Sequence, residues 1–249
     1  GAGGMNIGMS NAGFDIVMNV ENDPYAIETL NANAKYMNNV LDEQALDFNE
    51  FELYSGRPKD IDAFFCSPPS QGFSSVGKMD AEDERNEYIV NFFHKVMAYQ
   101  PKTFMVNTVK GFAKAPRHAN LRNIIREIVT PTYRMAMIVV DADRFGVPQS
   151  RQHTLIIGMH RDLFGGSHDD FRGIIQTALR RREHAAPTAG EVLRTLDPVG
   201  TENHPLTCDA IITYCRQPVM RRSPYAGMLF NGQGRPVGMD RNAPTLTAS

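Results

Sequence analysis

The chain has 249 residues, of which 42% are hydrophobic, and a formal net charge of −2, the composition of a globular protein large enough for a packed core. No apolar run reaches the roughly 18 residues of a membrane-spanning helix, and the first residues lack the pattern of a secretory signal. We therefore expect a cytoplasmic protein without a membrane partner. Its cysteines, Cys66, Cys208 and Cys215, match no common zinc spacing, so we predict reduced thiols and no metal site.

Charge is distributed unevenly along the chain. Residues 1–143 carry 13 basic and 19 acidic side chains, a net charge of −6, whereas residues 144–249 carry 13 basic and 9 acidic side chains, a net charge of +4. The second part is the one expected to face a polyanion. On charge alone, however, basic runs such as the three arginines at 180–182 are more typical of a solvated surface.

Short apolar runs alternate with segments of helical periodicity over the first two thirds of the chain. In order, the patterns predict a strand at 14–20, a helix at 24–38, a strand at 61–66, a helix at 86–100, a strand at 103–107, a helix at 117–129, strands at 133–141 and 154–159, and a helix at 169–183. This alternation predicts an α/β fold with a mainly parallel, Rossmann-like sheet and helices on both faces. Such sheets place their sites at the carboxyl ends of the strands. Beyond about residue 165 periodicity weakens, which predicts a smaller irregular lobe.

The chain opens with a glycine-rich turn at residues 1–8 that leads into a predicted helix. Such a turn lets a ligand approach the backbone and offers free N–H groups at the helix start. It can serve a dinucleotide, another nucleotide or only a tight turn. Glu21, at the end of the next predicted strand, favours a ligand site, because a carboxylate there can accept hydrogen bonds from both ribose hydroxyls.

Further segments share the order and spacing of one family's motifs. They are the loop Pro68-Pro69-Ser70-Gln71-Gly72-Phe73-Ser74 and the segments at 104–111, 145–153, 156–158 and 241–247. Together with the glycine-rich turn and Glu21-Asn22-Asp23, they resemble the cytosine-5 DNA methyltransferases. The resemblance implies S-adenosylmethionine as cofactor and double-stranded DNA with a flipped cytosine as partner. It also implies a monomeric, bacterial or phage-type protein associated with the nucleoid.

The resemblance also assigns binding residues. The residues expected to bind S-adenosylmethionine are Gly1, Ala2, Gly3, Gly4, Met5, Glu21, Asn22, Asp47, Phe48 and Pro68. The residues expected to contact DNA are Gln71, Ser74, Ser75, Lys78, Arg151, Arg221 and Arg222.

By the same resemblance we expect three regions. They are a catalytic methyltransferase domain at 1–164, a small target-recognition region at 165–235 and the start of a return segment at 236–249. The family's first strand and final motif have no counterpart in the sequence. We therefore expect the chain to be part of a longer protein.

The catalytic positions of that family pattern are altered at three points. Ser70 takes the place of the cysteine nucleophile, Asn107 that of the glutamic acid, and His153 that of the last arginine in Gln-x-Arg-x-Arg, whereas Gln149 and Arg151 match. A serine hydroxyl is essentially un-ionised near neutral pH, and an amide cannot protonate ring nitrogen N3. We therefore expect methyl transfer to be impaired or absent.

Other interpretations stay open at this point. One is an active cytosine-5 methyltransferase of a restriction-modification system, and another is a nucleotide-dependent oxidoreductase, which the loop at 68–74 disfavours. Cys66 is a poor substitute nucleophile, because four residues of extended strand separate it from Ser70 by roughly 13 Å. Changes at three catalytic positions favour inherited loss, or a changed reaction, over a single deliberate edit.

Overall fold

The computed structural model describes residues 1–38, 61–69, 87–195 and 239–245, and the backbone of short strands at 43–44, 220–222 and 229–231. Its helices are α1 (Gly4–Asn11), α2 (Pro24–Asn33), α3 (Glu87–Tyr99), α4 (Lys110–Lys114), α5 (Ala119–Val129), α6 (His168–Arg180) and α7 (Ala189–Leu193). Its strands are β1 (Asn19–Val20), β2 (Glu43–Gln44), β3 (Ala63–Cys66), β4 (Thr103–Val109), β5 (Tyr133–Asp141), β6 (Gln149–Ser150), β7 (Gln152–His160), β8 (Met220–Arg222), β9 (Leu229–Asn231) and β10 (Ala243–Pro244). Within these ranges no helix has the length and apolar run that crossing a bilayer requires.

A four-stranded sheet in the order β3-β4-β7-β5 organises the described part of the chain. β3 and β4 are parallel, whereas β7 is antiparallel to both of its neighbours, β4 and β5. Chain length explains the direction of β7, because only residues 142–151 connect β5 to β7 and a parallel connection needs about a dozen or more residues. The predicted α/β class is confirmed. The sheet differs from the predicted, mainly parallel one in that β7 runs antiparallel to both of its neighbours.

Different helices cover the two faces of this sheet. On one face, Phe104 of β4 and Ile156 of β7 pack with α3 and α5, and the Phe104 ring lies edge to face with that of Tyr133 at a centroid distance of 5.2 Å. On the other face, Ile138 of β5 packs against Phe171 of α6. Buried and half-buried residues alternate along β4, as expected of a strand between two layers.

Side-chain caps determine where several helices begin. Asp23 accepts a backbone N–H of α2, whose first residue is a proline. Ser167 and Asp170 form a capping box at α6, and Thr188 and Glu191 form another at α7.

Element boundaries follow the predictions closely inside the sheet and less closely near the start of the chain. The strand at 133–141 is confirmed in full. The strand predicted at 14–20 is present only as Asn19–Val20, and the helix predicted at 24–38 ends at Asn33, followed by a 3₁₀ turn at Ala34–Tyr36. Among the described residues, β1 pairs with β2 over two residues. The regional boundary at residue 165 stays a prediction.

Gly158 provides a test of the packing. It lies in β7 opposite Phe104, and a Cβ added to it would approach that ring to 2.1 Å. Because the ring is fully buried among other aromatic rings, Gly158→Ala is expected to lower the free energy of unfolding by about 1–3 kcal/mol. The control is Gly173→Ala at an exposed site of α6, where the new Cβ meets no atom within 4 Å. It is expected to raise that free energy by about 0.5–1 kcal/mol. Equal urea midpoints for the two variants would contradict this account.

Candidate functional site

The glycine-rich turn at the start of the chain is held in one conformation by its packing. Gly3 has φ +85°, and a Cβ there would approach Met37 Cε to 2.5 Å and Leu30 Cδ1 to 2.8 Å. The carbonyl of Ala2 accepts a hydrogen bond from Asn33 Nδ2 at 2.8 Å. The left-handed backbone conformation therefore favours glycine at position 3, and a side chain there would also displace the ends of Met37 and Leu30. The turn leads directly into α1, and no side chain of the described residues caps the N–H groups at the start of that helix.

Glu21 lies beside this turn as an ionised acceptor. Its carboxylate accepts hydrogen bonds from the backbone N–H groups of Asn22 and Asp23 at 2.9 and 3.0 Å. Burial raises the pKa of Glu21, and the hydrogen bonds from the backbone N–H groups of Asp23 and Asn22 lower it. An ionised carboxylate beside a glycine turn suits the two hydroxyls of a ribose.

Two further residues that the sequence predicts to bind the cofactor lie in α1 and just after β3. Met5 is half-buried in α1, and Pro68 is buried directly after β3. The ring of Phe14, just after α1, packs edge to face on Phe65 of β3 with centroids 5.4 Å apart. This contact joins the segment that carries the glycine-rich turn to the strand that precedes Pro68. Asn22 is exposed.

Asn107 and His153 are in contact at the carboxyl end of β4. Asn107 pairs with Leu155 and Val109 pairs with His153, so the two side chains are diagonal neighbours on one face of the antiparallel β4–β7 ladder. Oδ1 of Asn107 lies 2.9 Å from Nδ1 of His153. An amide oxygen only accepts, so this contact is a hydrogen bond in the imidazole tautomer that carries its proton on Nδ1. Sequence reasoning identified two separate departures from a pattern, and it missed that they touch.

The imidazole of His153 favours its neutral form. Burial, followed by the positive charge of Arg151, lowers its pKa from the usual value, and a backbone hydrogen bond with Thr108 opposes this only in part. The contact therefore joins a neutral amide to a neutral imidazole near pH 7. Neither group is a carboxylic acid that could donate a proton to a base.

Gln149 and Arg151, the two matching positions, do not join this contact. Nε2 of Gln149 donates to the carbonyl of Pro244 at 3.3 Å, and β6 pairs with β10 in the segment at 239–245. The same segment is held by α7, since the backbone N–H of Gly190 donates to the carbonyl of Met239 at 2.9 Å. Arg151 is exposed. Gln149 thus binds the end of the described chain, while Arg151 faces solvent.

The chain that follows β3 leaves the sheet beside Asn107. β3 and β4 are parallel and pair Cys66 with Val106, so the residues that follow Cys66 begin at the level of Asn107. Burial raises the pKa of Cys66 to about 12, which keeps its thiol protonated at neutral pH. Cys66 is therefore a protonated thiol within β3 and does not replace the nucleophile.

Several predicted site residues cannot be placed in this geometry. Those outside the described residues are Asp47, Phe48, Ser70, Gln71, Ser74, Ser75 and Lys78. The backbone of Arg221 and Arg222 forms β8, which pairs antiparallel with β9. Their assignments to cofactor, catalysis and DNA stay predictions.

Comparison with known proteins decides the family. The profile of the C-5 cytosine-specific DNA methylase family matches residues 1–199. The chain belongs to this family. Type II methyltransferase M.DdeI from Desulfomicrobium norvegicum is 31% identical over 166 residues, which are 65% of this chain and 39% of that methylase. Type II methyltransferase M.FnuDI from Fusobacterium nucleatum is 25% identical over an alignment of 257 positions, which covers 99% of this chain and 72% of that methylase.

A solved structure supports the methyltransferase fold. It is the crystal structure of a protein assigned as a DNA modification methyltransferase and encoded within an E. coli prophage. It superposes with a TM-score of 0.51 and 29% identity, covering 66% of this chain and 45% of that chain. This methylase-family chain thus spans less than half the length of that protein and of M.DdeI.

Gly3 tests the conformation of the glycine-rich turn. Gly3→Ala is expected to lower the free energy of unfolding by about 1–3 kcal/mol, because it combines left-handed backbone strain with contact to Met37 and Leu30. Gly8→Ala in α1, where a Cβ meets no atom within 4 Å, is the control and is expected to be neutral or stabilising. Urea unfolding measures both variants. A Gly3→Ala protein as stable as Gly8→Ala would show that the turn does not depend on glycine.

Proposed function

We propose that the chain binds S-adenosylmethionine and double-stranded DNA with a flipped cytosine, and that methyl transfer to ring carbon C5 is impaired or absent. The reaction of this family requires a nucleophile that adds at C6 and a proton donor at N3. S-adenosylmethionine supplies the methyl group from its sulfonium. Ser70, Asn107 and His153 replace the cysteine, glutamic acid and arginine of the family pattern.

The hydrogen bond between Asn107 and His153 supports the impaired reaction most directly. The amide has no proton that it can transfer to N3, and the lowered pKa of His153 favours a neutral ring near pH 7. Loss of a general acid typically lowers a rate by about 10²–10⁴. Ser70 adds a second loss, since a hydroxyl is far less ionised than a thiol at neutral pH.

The residues at the cofactor end fit S-adenosylmethionine. The left-handed Gly3 forms the turn that leads into α1, and Glu21 offers a carboxylate acceptor to ribose hydroxyls. Neither residue is among the altered catalytic positions Ser70, Asn107 and His153. Cofactor binding can therefore persist after transfer is lost.

DNA binding can persist for the same reason. Phosphate contacts depend on basic side chains and backbone amides, which the nucleophile position does not affect. Residues 144–249 carry the net positive charge, and Arg151, which belongs to this part of the chain, is exposed. We propose target recognition by residues 165–235 of a monomeric cytoplasmic protein that associates with the nucleoid.

An active restriction-modification methyltransferase is the second candidate. The similarity to M.DdeI and M.FnuDI, both named Type II methyltransferases, favours it. The two candidates differ in a single measurement, the transfer of a methyl group to cytosine.

The transfer assay uses S-adenosylmethionine labelled in its methyl group and duplex DNA, with M.DdeI as the reference enzyme. The unaltered chain is expected to place no label on cytosine C5. Ser70→Cys alone is expected to stay about 10²-fold or more below the reference, because Asn107 cannot deliver the N3 proton. The double variant Ser70→Cys, Asn107→Glu isolates the effect of the acid.

Two results would contradict these expectations. Robust labelling of C5 by the unaltered chain would establish the active candidate. A Ser70→Cys variant with the rate of the reference enzyme would show that the acid at position 107 is dispensable.

DNA binding is tested by gel shift at 50 and 200 mM salt. Affinity is expected to fall steeply with salt, as for proteins that neutralise several phosphates. Arg151→Gln is expected to weaken binding and to reduce the slope of log affinity against log salt by about one. Arg126→Gln on the exposed side of α5, outside residues 165–235, is the matched control and is expected to change neither value. Absence of any shift at 50 mM salt would mean that the protein does not act on DNA.

A further inference from the structure

The sequence around α4 contains a long stretch without acidic residues. Between Glu87 and Glu127 no aspartate or glutamate occurs, whereas seven lysines and arginines do. The remainder of residues 1–143 carries 6 basic and 19 acidic side chains. The net charge of −6 for residues 1–143 therefore conceals a basic segment within an acidic one. A concentration of positive charge on one short segment is typical of a surface that meets a polyanion.

Three of these basic side chains are exposed near the carboxyl end of β4. Lys110 directly follows the last residue of β4, Lys114 lies one turn further along α4, and Arg117 lies in the 3₁₀ turn at Pro116–His118. Residues four apart share one face of a helix, so both lysines lie on the same face of α4. Among the described residues, neither lysine forms a salt bridge. We call these three residues the α4 basic surface.

The core holds α4 in place. The ring of Phe112 is fully buried in the aromatic core, and the ring of His118 stacks on it with centroids 6.3 Å apart. Nη1 of Arg122 in α5 donates to the carbonyls of Phe112 and Ala115 at 2.7 and 2.9 Å. These carbonyls lie at the end of α4, where helix geometry leaves them without a partner inside the helix. α4 is therefore a fixed support for its two lysines.

The basic side chains of this corner repel one another. Burial lowers the pKa of His118, and the positive charges of Arg117 and Arg122 lower it further. Burial also lowers the pKa of Arg122, and the charge of Arg126 adds to that effect. Like charges gathered in one place oppose folding. An anion bound across them would relieve this repulsion.

The α4 basic surface is continuous with the part of the site that carries Arg151. In the antiparallel ladder, Val109 at the end of β4 pairs with His153 of β7. Lys110 is next to this pair on one strand, and Arg151 lies two residues before it on the other, so both leave the same end of the ladder. Both side chains are exposed. Basic side chains thus extend from the strand ends onto α4 along one edge of the sheet.

The chemistry of this surface fits the phosphate backbone of a duplex. Lysine and arginine bind phosphate oxygens, and such contacts position a protein on DNA without reading its sequence. Lys110 follows Asn107 by three residues, which is at most about 10 Å of extended chain. In the proposed function the flipped base lies beside Asn107, so the backbone of the same duplex lies over this edge of the sheet.

We propose that the α4 basic surface is a second phosphate-binding surface for duplex DNA, separate from the residues that the family motifs predict to contact DNA. Lys110, Lys114 and Arg117 hold the backbone beside the flipped base and contribute equally on every DNA sequence. The inference rests on the proposed function, because it requires the duplex to bind at the carboxyl end of β4.

Removal of charge tests this surface by gel shift with the full chain. The double variant Lys110→Gln, Lys114→Gln is expected to weaken binding by roughly 10- to 100-fold at 50 mM salt and to reduce the slope of log affinity against log salt by about two. Arg117→Gln alone is expected to reduce the slope by about one. The loss is expected to be the same on a duplex that contains only A·T pairs, because phosphates carry no sequence information.

Two further variants separate local charge from other effects. Lys110→Arg with Lys114→Arg keeps both charges and is expected to keep the affinity. Lys102→Gln with Arg126→Gln removes two charges away from this edge, since Lys102 precedes the opposite end of β4 and Arg126 lies about 10 Å along α5. This matched control is expected to keep affinity and slope. Urea midpoints establish that every variant is folded under the binding conditions.

Chemical modification locates the contact in the unaltered chain. Lysines are acetylated with an amine-reactive reagent in the presence and absence of duplex DNA, and mass spectrometry measures the extent at each position. DNA is expected to protect Lys110 and Lys114. Lys102, whose side chain is 64% exposed at the other end of β4, is expected to react equally in both samples.

The outcomes distinguish the inference from the function on which it rests. A folded Lys110→Gln, Lys114→Gln variant with unchanged affinity and salt slope would overturn the inference and leave the proposed function intact, and so would equal acetylation of both lysines with and without DNA. An equal loss in the matched control would overturn it too, because net charge would then govern binding. If the unaltered chain binds no duplex DNA at 50 mM salt, or binds duplex RNA instead, the proposed function and the inference both fail.

Discussion

The antiparallel ladder between β4 and β7 is the interaction on which the described structure depends. On one face of the sheet this ladder sets Phe104 against Gly158 and so builds the aromatic core. On the other face it makes Asn107 and His153 diagonal neighbours. Because successive side chains of a strand point to opposite faces, a slip of one residue would disrupt core and site together. Stability and chemistry are therefore specified by one register.

Much of the fold could be predicted because the strongest patterns belong to the sheet and its covering helices. The strand at 133–141 and the helices corresponding to α3 and α5 have clear periods of two and 3.6 residues. The direction of β7 could not be obtained in this way, since alternation looks the same in parallel and antiparallel strands. The length of the connection at 142–151 was the available signal, because it is too short for a crossover.

The candidate site was predictable as a set of positions and not as an arrangement. Glycine turn, Glu21 and the positions of Asn107 and His153 all came from motifs read along the chain. The contact between Asn107 and His153 joins residues 46 positions apart and depends on strand register, which no motif contains. In the sequence, the only sign of this contact was that Asn107 and His153 replace a glutamic acid and an arginine of the family pattern. Ser70 lies outside the described residues, so its geometry adds nothing to that hint.

The contact between Asn107 and His153 means that two of the three altered positions do not act independently. Sequence comparison scores Ser70, Asn107 and His153 as three replacements, but two of them share one hydrogen bond. Once either partner of such a bond is exchanged, the fitness effect of exchanging the other is different, which is epistasis in its simplest physical form. Substitutions at Asn107 and His153 are therefore expected to be energetically coupled, so that the effect of changing both differs from the sum of the two single changes.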